Sequence, residues 1–348
     1  MICPIPLAQK DTIVMSHGSG GRMTLDLIRS TFQKYFQNSI LLRGNDFADL
    51  PIEAEYKNYR IIVSTDGHIV NPIFYPGGDI GRLAISGTVN DISMSGAIPK
   101  YITASFIIEE GFSISELERI AASMQQAAEE AGVLIVAGDT KVAEKGKADK
   151  VFISTAGIGF ADPNLRIGGE FAQPGDMVII SGSIGDHGIA VLAARNELGF
   201  RTTIESDVAP LNHLIQDVLK QAPDIHVLRD PTRGGLATSL NEIAVQSGNS
   251  IELIENAIPV KQEVRSACEM LGFDPMYIAN EGKLIIILPS EQTESALHAL
   301  HAHPLGRDAV IIGSVRAPNG TPRVTMKTII GGTRIVDMLS GEMLPRIC

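Results

Sequence analysis

Tryptophan is absent from the 348 residues, aromatic residues make up only 5%, and cysteine occurs three times. The cysteines, Cys3, Cys268 and Cys348, are too few and too scattered for a disulfide framework or a thiolate metal centre. Basic residues are the minority, 29 Lys and Arg against 40 Asp and Glu, so the net charge is −11. Such a balance argues against a nucleic-acid binder, which needs a basic face. An acidic protein can still hold a nucleotide, because magnesium bridges carboxylates to phosphates. No apolar run approaches the roughly 18 residues of a membrane span; the longest, 133–137 and 284–288, are strand-sized. The N-terminus shows no charged segment followed by an apolar one, so no secretory signal is read there. Neither nucleic acid nor membrane is expected as a partner, and the cytoplasm is the expected location.

What is present suits a globular chain of about two domains, with 44% hydrophobic and 20% charged residues. Short β-rich runs at 61–64, 133–137, 151–155, 177–181 and 284–288 alternate with amphipathic helices, which indicates an α/β or α+β fold. One helix is well marked. Ser115 and Glu118 form a capping box, Leu117, Ile120, Met124, Ala128 and Ala131 share a face, and Gly132 supplies the C-terminal cap. Further helices are expected over about 231–246 and 211–219. Cys268 falls in a helical pattern with Val264, Ala267 and Leu271 and is read as core. The Pro- and Gly-rich stretch 161–175 separates an N-terminal domain, 1–162, from a C-terminal domain, 171–332. The residues 333–348, with Ser340, Gly341 and Pro345, read as a flexible tail.

Carboxylates recur beside glycines and at strand ends. Asp66 follows the run 61–63 in Ser-Thr-Asp-Gly, and Asp139 follows 133–137 in Gly-Asp-Thr-Lys. Ligands of open α/β sheets collect beyond strand ends, so the two can share a site. Asp91 lies in a helical stretch and Asp46 in a loop. Four such groups suit a hard divalent cation, although any one of them alone can equally cap a turn. Glycine-rich turns at 16–21, 75–81 and 181–188 offer backbone N–H groups to phosphates; none is a Walker loop or a full Rossmann fingerprint. His17 and His187 have no partner visible in the sequence, and a structural role is expected for both. The last residue is a cysteine. Exposed free thiols are generally avoided, yet a thiol on a flexible tail is suited to swinging an attached group between sites. A prenylation signal would need that cysteine fourth from last.

These elements together carry a resemblance. Residues 16–21 (Ser-His-Gly-Ser-Gly-Gly), 64–67 (Ser-Thr-Asp-Gly), 76–81 (Pro-Gly-Gly-Asp-Ile-Gly), 88–91 (Thr-Val-Asn-Asp), 138–141 (Gly-Asp-Thr-Lys), 185–188 (Gly-Asp-His-Gly), 229–235 (Arg-Asp-Pro-Thr-Arg-Gly-Gly), 279–283 (Ala-Asn-Glu-Gly-Lys) and 345–348 (Pro-Arg-Ile-Cys) resemble the HypE family of hydrogenase maturation proteins. The internal motifs are shared more loosely with aminoimidazole ribonucleotide synthetase, selenophosphate synthetase and thiamin-monophosphate kinase. The resemblance implies a two-domain fold. The N-terminal sheet would close a β-barrel across a homodimer, a C-terminal α/β domain would pack beside it, and ATP would sit in the cleft.

It also implies a reaction, the ATP-dependent dehydration of a carboxamide on Cys348 to a thiocyanate, which supplies the cyanide ligands of the [NiFe] iron. ATP and Mg2+ are the implied cofactors. Asp46, Asp66, Asp91 and Asp139 are the implied metal ligands, with Asn90 and Thr140 added to the ATP and metal site. Lys141 would meet a phosphate or the substrate oxygen. Glu281 is the candidate base, or else the cap of an Asn-Glu-Gly turn. Arg229 and Arg233 would line the tail channel or pair with acids. Implied partners are the carbamoyltransferase HypF and a HypC–HypD iron scaffold. Two rivals stay open, a superfamily relative that phosphorylates a free small molecule and a non-enzymatic carrier of the cysteine.

Overall fold

A computed structural model describes residues 11–18, 22–43, 50, 52–195, 203–339 and 347. Two short helices, α1 (Arg22–Leu27) and α2 (Gln33–Tyr35), precede the first long strand, β1 (Arg60–His68). A small hairpin, β2 (Phe74–Tyr75) with β3 (Gly78–Asp79), leads into helix α3 (Ile80–Ser93). Then come β4 (Ile98–Glu109), α4 (Ile114–Ala131), β5 (Leu134–Ala143) and β6 (Val151–Ala161). The long strands form one four-stranded sheet in the order β1-β6-β4-β5.

Burial alternates along β1, as a period of two requires when only one sheet face is covered. Helices α3 and α4 cover that face through Leu83, Ile85, Leu117, Ile120 and Met124, which belong to one core cluster. The opposite face leaves Ile61 and Val63 about three-fifths exposed, and Ile107 and Leu134 nearly half exposed. The two helices touch closely. A Cβ on Gly81 would stand 2.5 Å from the carbonyl oxygen of Ile120, so only glycine fits there.

Helix α4 ends on left-handed Gly132 as expected, but its N-cap is Ser113, whose hydroxyl accepts from the Glu116 N–H. The motif read at Ser115 and Glu118 is therefore two residues late; the pair Ser113 and Glu116 has the same spacing. Helix α3 carries a second correction. Asp79 accepts from the N–H groups of Gly81 and Arg82 at 2.7 and 3.1 Å, so the helix caps itself with a carboxylate. The turn at 75–81 does not leave those groups free for a phosphate.

The second half is built on a seven-stranded sheet, β13-β12-β9-β11-β7-β10-β8. In chain order its elements are β7 (Met177–Ile180), α5 (Asp186–Ala194), α6 (Asn212–Gln221), β8 (Val227–Arg229), α7 (Gly235–Ser247) and β9 (Ser250–Ile254). They continue with α8 (Gln262–Leu271), β10 (Ile285–Leu288), α9 (Thr293–Ala302), β11 (Val310–Arg316), β12 (Val324–Lys327) and β13 (Thr333–Val336). Neighbours pair antiparallel except β12 with β9. Both faces of the sheet are covered, so β10 is buried along its whole length, as its unbroken apolar run suggested.

Helix α7 starts at Gly235 rather than 231, because residues 232–235 form a turn that closes with Gly235 N–H on the Thr232 carbonyl. Cys268 is buried in α8 as expected, and burial pushes its thiol up to about 11. The tail boundary needs correction too. Residues Thr333–Val336, expected in the flexible tail, form the edge strand β13, and Ile347 is buried in the N-terminal core cluster. No described helix is long and apolar enough to cross a membrane.

Candidate active site

One site gathers where β1, helix α3 and two loops of the C-terminal domain meet. Asp91 projects from α3 and accepts from the Ser64 hydroxyl at 2.7 Å. Asp66, two residues further along β1, accepts from the Gly67 N–H, and the guanidinium of Arg233 approaches it at 3.9 Å. Burial, reinforced by the charge on Asp66, raises Asp91 above the usual carboxylate range despite the Ser64 bond. Asp230 follows strand β8; burial and the nearby Asp91 charge push it up to about 7. Glu281 lies in the loop before β10. Burial, then Asp230, Asp207 and Asp66, lift it well above the ordinary range.

Glu281 is 5% exposed, and its Oε1 has no hydrogen-bond partner. A buried carboxyl oxygen left unpaired is costly. Its main chain, by contrast, is fixed. Glu281 N–H donates to Asp207 Oδ1 at 3.1 Å, and Lys283 Nζ donates to Asp207 Oδ2 at 3.0 Å. A Cβ on the next residue, Gly282, would fall 1.8 Å from the Asp207 carbonyl oxygen, which requires glycine there.

The Nδ2 of Asn90 donates to the carbonyls of Ala209 and Glu281 at 3.1 and 3.4 Å, and its Oδ1 accepts from Leu211 N–H at 2.7 Å. The amide bonds three main-chain groups of the other domain. Asn90 thus links the two domains, next to Asp91 on the same helix.

Asp139, Thr140 and Lys141 stand apart from this cluster. Strand register aligns Asp66 with Thr155, Thr155 with Ala104, and Ala104 with Gly138. Asp139 is thus on the opposite edge of the sheet from Asp66, three strand spacings or about 14 Å away. Lys141 Nζ donates to Asp139 Oδ1 at 2.9 Å, and this bond holds the Asp139 carboxyl below its usual range. The three residues border a cavity of about 370 Å³ whose other walls include Phe32, Phe36 and Phe106.

Asp46 and Cys348 lie outside the described residues, as do residues 19–21 of the first glycine-rich turn. Among the described residues no three His, Cys, Asp or Glu close round a single metal position. Asp66 and Asp91 nonetheless fit magnesium. They are hard oxygen donors, the Asp66 charge adds to the cost of ionising Asp91, and Mg2+ takes one or two carboxylates while phosphate and water fill its other positions.

Two residues of the cluster were not singled out from sequence. Asp230 stands between Arg229 and Arg233 in a motif already noted, and an acid directly after a strand is the signal that marks it. Asp207 carries no such signal, since its partners lie 74 and 76 residues away. Of the two arginines, Arg229 pairs with Glu242, while Arg233 faces Asp66. His187, read as structural, is fully buried and bonds both Ser206 and the main chain of Ile347.

This two-domain frame, with its acidic site at the junction, defines the class of protein. The model of the AIR synthase related protein N-terminal domain matches residues 46–161, and that of the C-terminal domain matches 173–324. The carbamoyl dehydratase HypE of Azotobacter vinelandii is 52% identical over 337 residues, covering 97% of each chain. A crystal structure of hydrogenase maturation protein HypE in complex with ATP superposes with a TM-score of 0.92 at 49% identity, over 97% of this chain and all of that one. The HypE chain of a HypE–HypF complex superposes at 0.78 with 49% identity, over 90% of this chain and 99% of that one. The chain belongs to the carbamoyl dehydratase HypE family of hydrogenase maturation proteins.

Proposed function

We propose that this chain dehydrates a carboxamide carried on the sulfur of Cys348 to a thiocyanate, cleaving ATP to ADP and phosphate, and so supplies cyanide ligands to the [NiFe] iron. The observation that carries the proposal is Glu281, a buried carboxyl whose Oε1 has no hydrogen-bond partner and whose hold on a proton is strengthened by burial and by Asp230, Asp207 and Asp66.

The chemistry follows from a poor leaving group. An amide oxygen does not depart by itself, so it first attacks the γ-phosphorus of ATP, forming an O–P bond as the β,γ-bridging bond breaks and ADP leaves. The nitrogen then gives up its two protons, the C–O bond breaks, and the oxygen leaves as part of phosphate while C≡N forms. Glu281 takes one of those protons. Lys141, largely exposed at the cavity rim, meets the phosphate or the oxygen being phosphorylated. Asp46, Asp66, Asp91 and Asp139 are the residues to hold Mg2+, whose role when bound is to neutralise phosphate charge. Thr140 borders the same cavity and belongs to the nucleotide site.

The separation of Asp139 and Lys141 from Asp66 and Asp91 supports a homodimer. The open apolar face of the N-terminal sheet, with Ile61, Val63, Ile107 and Leu134, is the surface that a second copy would cover. Closing a barrel there would bring the β5 edge of one copy to the β1 edge of the other and complete two sites from paired halves. A HypF-type carbamoyltransferase would load Cys348, as the relative's complex with HypF suggests. A HypC–HypD scaffold would receive the cyanide, all in the cytoplasm.

Intact-mass measurement tests this reading. With HypF, carbamoyl phosphate and ATP, the tail peptide should gain a carboxamide and then lose one water. Modification at Cys268 instead, or a carboxamide that persists with ATP and magnesium, would overturn it.

A further inference from the structure

Between Glu281 and Ile347 runs a strap, residues 203–211, in which Ser206, Asp207 and Val208 all bond to other parts of the protein. Ser206 N–H donates to the Pro76 carbonyl at 2.8 Å, and Arg82 Nε donates to the Val208 carbonyl at 2.9 Å, both in the N-terminal domain. Asp207 holds the main chain of Glu281. At the centre of the strap, Ser206 Oγ lies 2.7 Å from His187 Nδ1 and accepts from Val208 N–H at 3.1 Å. His187 Nε2 lies 2.8 Å from the carbonyl oxygen of Ile347, and the Tyr75 ring packs edge-on against the imidazole.

These contacts fix the state of the ring. A carbonyl only accepts, so Nε2 carries the hydrogen. Burial favours the neutral imidazole, whose Nδ1 then has a lone pair, so the Ser206 hydroxyl donates to it while its oxygen accepts from Val208 N–H. The carbonyl that it grips belongs to the residue immediately before Cys348, and the Ile347 side chain is 4% exposed.

We propose that His187 is the clasp that positions the substrate-bearing tail: its Nε2–H, oriented by Ser206, docks the Ile347 carbonyl, the last main-chain acceptor before Cys348 in sequence. It is a positioning residue. Through Ser206 and Asp207 one short strap sets both the tail and the base. This rests on the reading of Cys348 as the carrier, and it adds which interaction registers that carrier in the site.

The full-length protein tests the clasp without any turnover. Carboxypeptidase trimming followed by intact mass gives the rate at which Ile347 is lost, a step that requires the tail to undock. His187→Ala, losing one buried hydrogen bond, should release Ile347 up to about tenfold faster. Ser206→Ala should give a smaller increase, because the ring keeps its donor but loses its orientation. His187→Gln, which restores an N–H donor of similar reach, should return the rate to near that of the unsubstituted protein. In single-turnover assays with carbamoylated Cys348, His187→Ala should slow thiocyanate formation by about the same factor while ATP affinity holds.

Unchanged release of Ile347 from a folded His187→Ala protein overturns the clasp. If that variant does not fold, 15N NMR of the unsubstituted imidazole decides. A neutral ring protonated at Nε2 supports the proposal, and one protonated at Nδ1 refutes it. Faster trimming of His187→Ala together with no dehydration by the unsubstituted protein would sink the proposed function and leave the clasp standing.

Discussion

The two acidic patches of the N-terminal sheet are built from similar residues and placed in opposite environments. Around β1, Asp91 is raised above the usual carboxylate range by desolvation and by the Asp66 charge, and its own charge helps raise Asp230, which in turn helps raise Glu281. On β5, Asp139 faces solvent with a lysine bonded to it and is lowered. The first patch stores repulsion that a cation or a proton relieves. The second is satisfied as it stands and offers a positive charge at a cavity mouth. The difference suits a division of labour, in which one edge holds metal and accepts protons while the other meets phosphate.

The largest expected effect comes from the first patch. Asp91→Asn should reduce ATP cleavage by about a hundredfold to a thousandfold, the scale for removing a charge that organises phosphoryl transfer. Equilibrium nucleotide binding and steady-state ADP release measure it, and normal turnover would return Asp91 to a purely structural role. Glu281→Gln should slow thiocyanate formation by about a hundredfold or more while ADP-forming competence survives better. Its pH profile sharpens the point. The unsubstituted rate should rise as pH climbs through the raised titration of Glu281, and the variant should lose that rise.

Mixing experiments address whether the two edges act together across copies. Lys141→Ala and Asp91→Asn proteins, each impaired alone, should on co-refolding recover about a quarter of normal activity, since half the dimers are mixed and each holds one intact site. No recovery would mean that the patches do not meet between subunits.

The smallest effect is on stability, and its sign distinguishes the patches. Glu281 has its folded-state value raised above 4.5, so its contribution to stability is complete below that value and is lost as pH rises through the raised one. Glu281→Gln should therefore raise the melting temperature by a few degrees near pH 8 and by little near pH 4, as active-site carboxyls often do. Asp139→Asn, at a solvent-facing site, should not show that gain. Differential scanning calorimetry across pH separates the two outcomes.

Much of this was readable in the sequence because it is local. The apolar face of α4, its Gly132 cap, the buried run of β10 and the motifs around Asp66, Asp91 and Glu281 each depend on neighbours within a few residues. What could not be read depends on partners far along the chain. Asn90 meets Leu211 and Ala209, 121 and 119 residues on, and His187 meets Ile347 across 160. Periodicity also stopped too early at the C-terminal end. Strand β13 is an edge strand only four residues long, with too few positions to show an alternation. The separation of Asp139 from Asp66 was hidden for a related reason. Both follow apolar runs, but strand order, set by pairing, puts them on opposite edges.

The pin formed by Asn90 has a mechanical consequence. One side chain of the first domain satisfies three main-chain groups of the second, two carbonyls and an N–H. Rotating the domains apart would strand all three at once in a dry interface, and each stranded group costs on the order of 1 kcal/mol or more. The cost of hinging the two domains at this point is therefore concentrated on one side chain, since all three bonds break together.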